Sequence, residues 1–136
     1  MSNEEHLKGM YTQTTREIRI SVFPEYLPEQ SDVEGGRYAF SYSITIENMS
    51  SDTVQLINRH WRIYSGGKQY GDVKGDGVVG LQPIIGSGDR FEYTSGAAIK
   101  DPEGAMQGVY TFVTDTGDFF DVEVPRFDFV YPALVN

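Results

Sequence analysis

The segment Gly75-Asp76-Gly77-Val78-Val79-Gly80-Leu81-Gln82-Pro83 poses the question on which the fold turns. Its GxGxxG spacing is the one that cradles pyrophosphate where a strand runs into a helix. Such a loop needs the helix to open directly after the glycines, because the helix N-terminus supplies the dipole and the free N–H groups that hold the anion. Here Pro83 follows three residues after Gly80, and Ile84-Ile85-Gly86-Ser87-Gly88 has no helical period. The segment therefore reads as part of an all-β chain, with its glycines serving a bulged strand and a tight turn.

Moving outward from that segment, alternation is the dominant pattern. Tyr38, Phe40, Tyr42, Ile44 and Ile46 alternate with Ala39, Ser41, Ser43 and Thr45, which gives one face to a core and one to water. A second strand runs from about Val54 to Tyr64. Ser65-Gly66-Gly67-Lys68 then closes it, and Gln69 to Val73 is expected to pair back, since Gly-Gly accepts the positive φ of a two-residue hairpin turn. Further strands are predicted at Phe91–Ser95, Gly108–Thr114 and Phe119–Val124, the last two joined by Asp115-Thr116-Gly117-Asp118. Ile18-Arg19-Ile20-Ser21-Val22 adds one more, which Pro24 and Pro28 end or hold at an edge. Seven or so short strands with no amphipathic helical stripe predict a β-sandwich. Its buried set is expected to include Phe40, Tyr42, Ile44, Trp61, Tyr110, Phe112, Phe120 and Val122. Residues 1–15 are polar and aperiodic and read as a flexible N-terminal tail; residues 16–136 read as a single domain.

Composition narrows the function classes. Eleven Lys and Arg against 20 Asp and Glu leave a net charge of −9, and such a chain repels nucleic-acid backbones and anionic membranes. No nucleic acid partner and no membrane insertion are expected, and no apolar run reaches the ~18 residues of a membrane span. The start, Met1-Ser2-Asn3-Glu4-Glu5-His6-Leu7-Lys8, lacks the basic-then-apolar order of a secretion signal, so a cytoplasmic setting is the expectation. Cysteine is absent, which excludes disulfides, thiolate metal sites and a cysteine nucleophile.

The candidate sites are few. An anion-binding reading of the glycine segment uses Lys74, Gly75, Gly77 and Gly80. It draws support from local charge: between Asn58 and Lys74 lie Arg59, Arg62, Lys68 and Lys74, with Asp72 as the only carboxylate. Trp61 is expected to anchor the core. Arg59 falls on the face defined by Ile57, Trp61 and Ile63, and an arginine on a core face calls for either a bulge or a carboxylate partner. His60 lies on the other face, and with His6 as the only other histidine a nitrogen-ligand zinc or cobalt site has too few ligands. Asp115, Asp118 and Asp121 could offer oxygen ligands to Mg²⁺, although surface carboxylates at a hairpin are ordinarily just solvated. No Ser-His-Asp set and no nucleophile elbow is present, so no catalytic residues, no resident metal and no cofactor are assigned.

The series Tyr42-x-Ile44-x-Ile46-Glu47-Asn48, Val54-Gln55-Leu56, Arg59-His60-Trp61, Gly75-x-Gly77-Val78-Val79-Gly80-x-Gln82-Pro83, Phe91-x-Tyr93-x-Ser95-Gly96, Pro102-x-Gly104-x-Met106-x-Gly108-x-Tyr110 and Val124-Pro125-x-Phe127 resembles the ApaG family, also called CorD. The resemblance covers roughly residues 15 to 131, and its specificity lies in so many fixed spacings in one order. The departures are a longer N-terminal tail and Gly86-Ser87-Gly88, where the family more often has a proline-glycine turn. The resemblance implies an immunoglobulin-like, fibronectin type III-like β-sandwich of two antiparallel sheets. It also implies an association with cobalt tolerance and magnesium efflux, and a similar domain serves protein–protein contacts within larger eukaryotic proteins. No catalytic residues carry over. The expected function is thus a non-enzymatic protein–protein interaction module with an unidentified protein partner, for which Phe119 and Tyr70 are natural anchors. The alternatives are a nucleotide or pyrophosphate binder using the glycine segment, and a direct, weak divalent-cation binder. Oligomeric state is not legible.

Overall fold

The computed structural model describes residues 9–135, in which nine strands form two antiparallel sheets packed face to face. In chain order they are β1 (Tyr11–Thr15), β2 (Ile18–Tyr26), β3 (Tyr38–Asn48), β4 (Val54–Ser65), β5 (Lys68–Asp76), β6 (Ile84–Ile85), β7 (Arg90–Ile99), β8 (Glu103–Thr114) and β9 (Phe119–Val130). One sheet has the order β1-β2-β3-β7; the other runs β5-β4-β8-β9, with β6 paired to β4. The expected immunoglobulin-like, fibronectin type III-like sandwich is present. Its strand count exceeds the expectation through β1 and the two-residue β6.

The alternation read from Tyr38 to Ile46 is the inner face of β3, where Phe40, Tyr42, Ile44 and Ile46 are all buried. Ile18, Ile20 and Val22 of β2 pair beside them, and Tyr110, Phe112, Val122 and Phe127 close the core from the opposite sheet. Trp61, 4% exposed, sits edge-on to Tyr42, Tyr110 and Phe127 at ring separations of 5.6, 6.0 and 6.0 Å. Gly108 lies opposite it in β8, and a Cβ there would stand 2.6 Å from the indole ring, so the indole needs a glycine neighbour.

Two expectations are corrected. The stretch read as part of a flexible tail contains β1: Tyr11–Thr15 pair with β2 residues Val22 to Ile18, through a two-residue turn whose Arg16 and Glu17 have φ of 53° and 66°. The remainder of that tail, residues 1–8, lies outside the described residues. The strand leaves no period in the sequence because its inward positions Tyr11, Gln13 and Thr15 are only half-buried, as suits an edge, and so carry no apolar alternation. Phe120, expected in the core, is half-buried instead. Near the start of the edge strand β9, it stacks on Phe112 at 5.8 Å, with Arg16 lying 4.8 Å from its ring centre. Pro24 stands where β1 has ended, so β2 there pairs with β3 alone and tolerates a residue without an N–H.

The sandwich has unlike sides. On one, β1 and β2 pack onto β9, with Tyr11 against Phe127 at 6.4 Å. On the other, the edges are β7 of the first sheet and β5 of the second, and a cleft opens between them.

Candidate functional site

The cleft has a volume of about 310 Å³ and is lined from both sheets, by Tyr42, Tyr93 and Ser95 on one wall and Arg59, Trp61 and Val73 on the other. Arg59 owes its place there to a bulge. Leu56 pairs with Phe112 but Asn58 with Thr111, which leaves Ile57 as the extra residue in β4. The inward parity thereby shifts: Val54 and Leu56 are buried before the bulge, and Trp61 after it. Arg59 shares the face of Trp61. Of the two explanations the sequence allowed for an inward arginine, the bulge is the one found; no carboxylate pairs with Arg59 among the described residues.

Backbone carbonyls hold the guanidinium. Nη1 donates to the carbonyl oxygens of Asp76 and Gly77, each at 2.9 Å. Gly75 faces Arg59 in register, and a Cβ there would lie 2.9 Å from Nη1, so glycine makes room for the side chain.

Across the cleft, burial pushes the phenols of Tyr42 and Tyr93 above their ordinary range, and that of wholly buried Tyr110 well above it. The Arg59 charge opposes all three shifts, which places the cation within electrostatic reach of the whole tyrosine group. The Tyr93 and Tyr110 hydroxyls are hydrogen-bonded to each other.

The sequence-predicted anion site is dispersed by the same geometry. Gly75 accommodates Arg59. Gly77, at φ +60°, donates its N–H to the Ile57 carbonyl, and a Cβ on it would fall 2.0 Å from the Leu81 carbonyl oxygen. Val78 and Leu81 exchange both backbone hydrogen bonds at 2.8 Å, closing a hairpin turn over Val79 and Gly80. Gly80 takes φ +78°, and Val79, unusually for a β-branched residue, takes φ +43°. Lys74 pairs in register with His60, on the face opposite to Gly75 and Arg59. The glycine spacing is thus accounted for by a turn and by room for an arginine, and Lys74 does not join it.

The other candidates fall outside the cleft. His60 meets Asp72 at 2.7 Å on the outer face of the β5-β4-β8-β9 sheet. Asp121 accepts a hydrogen bond from Thr111 at 2.7 Å. Among the described residues no group of three His, Asp or Glu is arranged to hold a metal ion. No helix among them is long and apolar enough to cross a membrane. Phe119 and Tyr70 are 67% and 50% exposed, but they belong to β9 and β5, opposite edges of one sheet, and form no single patch. Sequence reasoning placed Arg59 on the right face but missed its tyrosine company, because Tyr42 and Tyr93 come from the other sheet.

Comparison with known proteins gives concordant results. Protein ApaG of Afipia carboxidovorans is 47% identical over 125 residues, covering 92% of this chain and 96% of that protein. Protein ApaG of Thiobacillus denitrificans is 48% identical over 120 residues, covering 88% and 94%. The crystal structure of a Bordetella pertussis protein called ApaA superposes with a TM-score of 0.82 at 42% identity, covering 85% of this chain and 94% of that one. The family model described as the ApaG domain matches residues 28–114, which takes in β3 to β8 and hence both walls of the cleft. On fold, on sequence and on the segments that build this cleft, the chain belongs to the ApaG family.

Proposed function

We propose that this chain is a non-catalytic recognition domain that binds another protein along its open edge. The observation that carries the reading is the pair of edges flanking the cleft: β5 and β7 each pair on one side only. A strand edge with free N–H and C=O groups is a template for an added strand. The neighbouring surface is apolar, with Val73, Val79, Leu81 and Ile84 exposed by 40, 49, 53 and 69% between β5 and β6. Isolated exposed apolar residues need no explanation, but four in one short segment beside a free edge favour a contact surface.

Catalysis lacks comparable support. His60 is hydrogen-bonded to Asp72 and to no serine or threonine hydroxyl among the described residues, so no nucleophile–base pair is assembled around it. Pyrophosphate on Lys74, Gly75, Gly77 and Gly80 is the weaker alternative, because the Gly77 amide is committed to the Ile57 carbonyl and the Val78 amide to that of Leu81. Direct ion binding likewise lacks a grouped ligand set among the described residues. In this reading the family's link with cobalt tolerance and magnesium efflux runs through the protein partner.

Affinity capture from native lysate tests the proposal by comparing the unmodified chain with a Val73→Asp/Val79→Asp variant and with Phe119→Asp on the far edge. A partner retained by the unmodified chain and by Phe119→Asp, and lost with the double variant, is expected. A partner lost only with Phe119→Asp would move the interface to the other side of the molecule. A nucleotide-hydrolysis screen should find no turnover; activity abolished by His60→Ala would overturn the non-catalytic reading.

A further inference from the structure

The geometry points to a carboxylate site inside this cleft: Arg59 takes the acidic side chain of an extended, otherwise apolar partner segment. The inference rests on the recognition reading above and specifies its chemistry.

Three observations converge on it. The first is the state of Arg59. A guanidinium has five N–H donors, and the two on Nη1 are matched by the carbonyls of Asp76 and Gly77. Those carbonyls orient the group without neutralising it. No buried side-chain nitrogen lacks a partner among the described residues, so the remaining donors on Nε and Nη2 are not sealed away but accessible, on a side chain that lines the cleft. These are the donors that form a paired, two-point contact with a carboxylate.

The second is the facing wall. Tyr110 is wholly buried and has Tyr93 as its hydroxyl partner. A buried phenol retains its proton, and Tyr110 donating to Tyr93 leaves the Tyr93 proton free to point into the cleft. Tyr42 and Ser95, which hydrogen-bond to each other, line the same wall. A carboxylate between the walls meets a cation on one side and neutral hydroxyl donors on the other. Trp61, Ile63, Val78 and Met106 also line the space, and such surroundings favour an acid with an apolar stem over a heavily hydrated phosphate.

The third is Val79, at the mouth of the cleft. A valine at φ +43° in a turn that favours Asn or Gly is strained, and such strain is characteristic of ligand clamps. Here it holds an exposed apolar side chain beside the opening.

The probes are three end-blocked hexapeptides identical except at one central position, which carries glutamate, glutamine or phosphoserine between valines, together with free 3-phenylpropionate. Binding is followed by backbone-amide NMR on the intact chain. The glutamate peptide should bind about 10-fold or more tighter than the glutamine one, as fits a charge-assisted contact. That preference should shrink to within about 2-fold in Arg59→Gln. Since Arg59→Gln also removes the bonds to Asp76 and Gly77, Tyr93→Phe serves as a second variant that leaves the loop bonds intact. It should weaken the glutamate peptide by about 5-fold, the loss of one hydrogen bond, while sparing the glutamine peptide. Equal binding of glutamate and glutamine peptides overturns the carboxylate site but leaves the recognition reading standing. Tighter binding of the phosphoserine peptide overturns the choice of acid. Binding of 3-phenylpropionate alone, with no peptide bound, overturns the protein source. No response from any probe, with lysate capture intact, overturns the site itself.

Discussion

The two sides of the sandwich are built from similar residues to opposite effect. Where β1 and β2 meet β9, Tyr11 packs on Phe127, and Phe127 in turn lies against Tyr42, Trp61 and Phe129, ring on ring. Where β7 faces β5, the inward position that could carry another aromatic is Arg59, and Tyr42 and Tyr93 line the cleft with it. One side converts aromatic area into stability. The other keeps a cation and two phenols in a half-dry space, which is costly for stability and useful for binding.

The largest effect should come from breaking the closed side. Phe127→Ala, or Trp61→Ala at the junction of the two halves, should lower unfolding free energy by about 3–5 kcal/mol, enough to unfold many domains of this size. Denaturant titration measures it, and a loss under about 1 kcal/mol for either would mean that the aromatic cluster is not the core. Gly77→Ala comes next. Positive φ together with a Cβ falling on the Leu81 carbonyl should cost about 2–3 kcal/mol. A variant with unchanged melting temperature but lost pyrophosphate affinity would instead revive the anion-loop reading.

Alkaline pH should weaken the open side. The phenols of Tyr42, Tyr93 and Tyr110 titrate above 10.0 in the fold because burial disfavours the phenolate, so the unfolded chain gives up these protons first. Their contribution is complete below pH 10 and is lost as pH rises beyond it, at roughly 1.4 kcal/mol per pH unit for each tyrosine at most. Unfolding free energies measured between pH 8 and pH 11 should be flat at first and then fall. Tyr110→Phe should flatten that descent, and an unaltered slope would contradict its assignment.

The smallest effect is the most discriminating. Val79→Gly relieves the strained turn and should raise stability by about 1 kcal/mol while weakening partner capture. Stability and binding moving in the same direction would make Val79 an ordinary turn residue.

Much of the architecture was legible because a half-buried strand must alternate, and this chain alternates in burial from Phe40 to Ile46, with Ala39, expected on the water face, buried instead. The Gly66-Gly67 turn was likewise readable, since both residues need the positive φ they take. Pro83 told correctly against a helix after the glycines. What the chain could not disclose was lateral. β1 carries no apolar signal, because an edge strand buries too little for selection of apolar residues to leave a pattern. Gly75, Gly77 and Gly80 look like one motif in sequence, yet one makes room for a guanidinium and two shape a turn, since β5 ends at Asp76 and only the later two take positive φ. Arg59 was visible as an inward arginine, but whether it met a carboxylate, a bulge or open space depended on Ile57 slipping out of register and on β7 arriving from the other sheet. Local alternation is a property of neighbours in the chain. A cleft is a property of which edges end up side by side, and only the tertiary structure decides that.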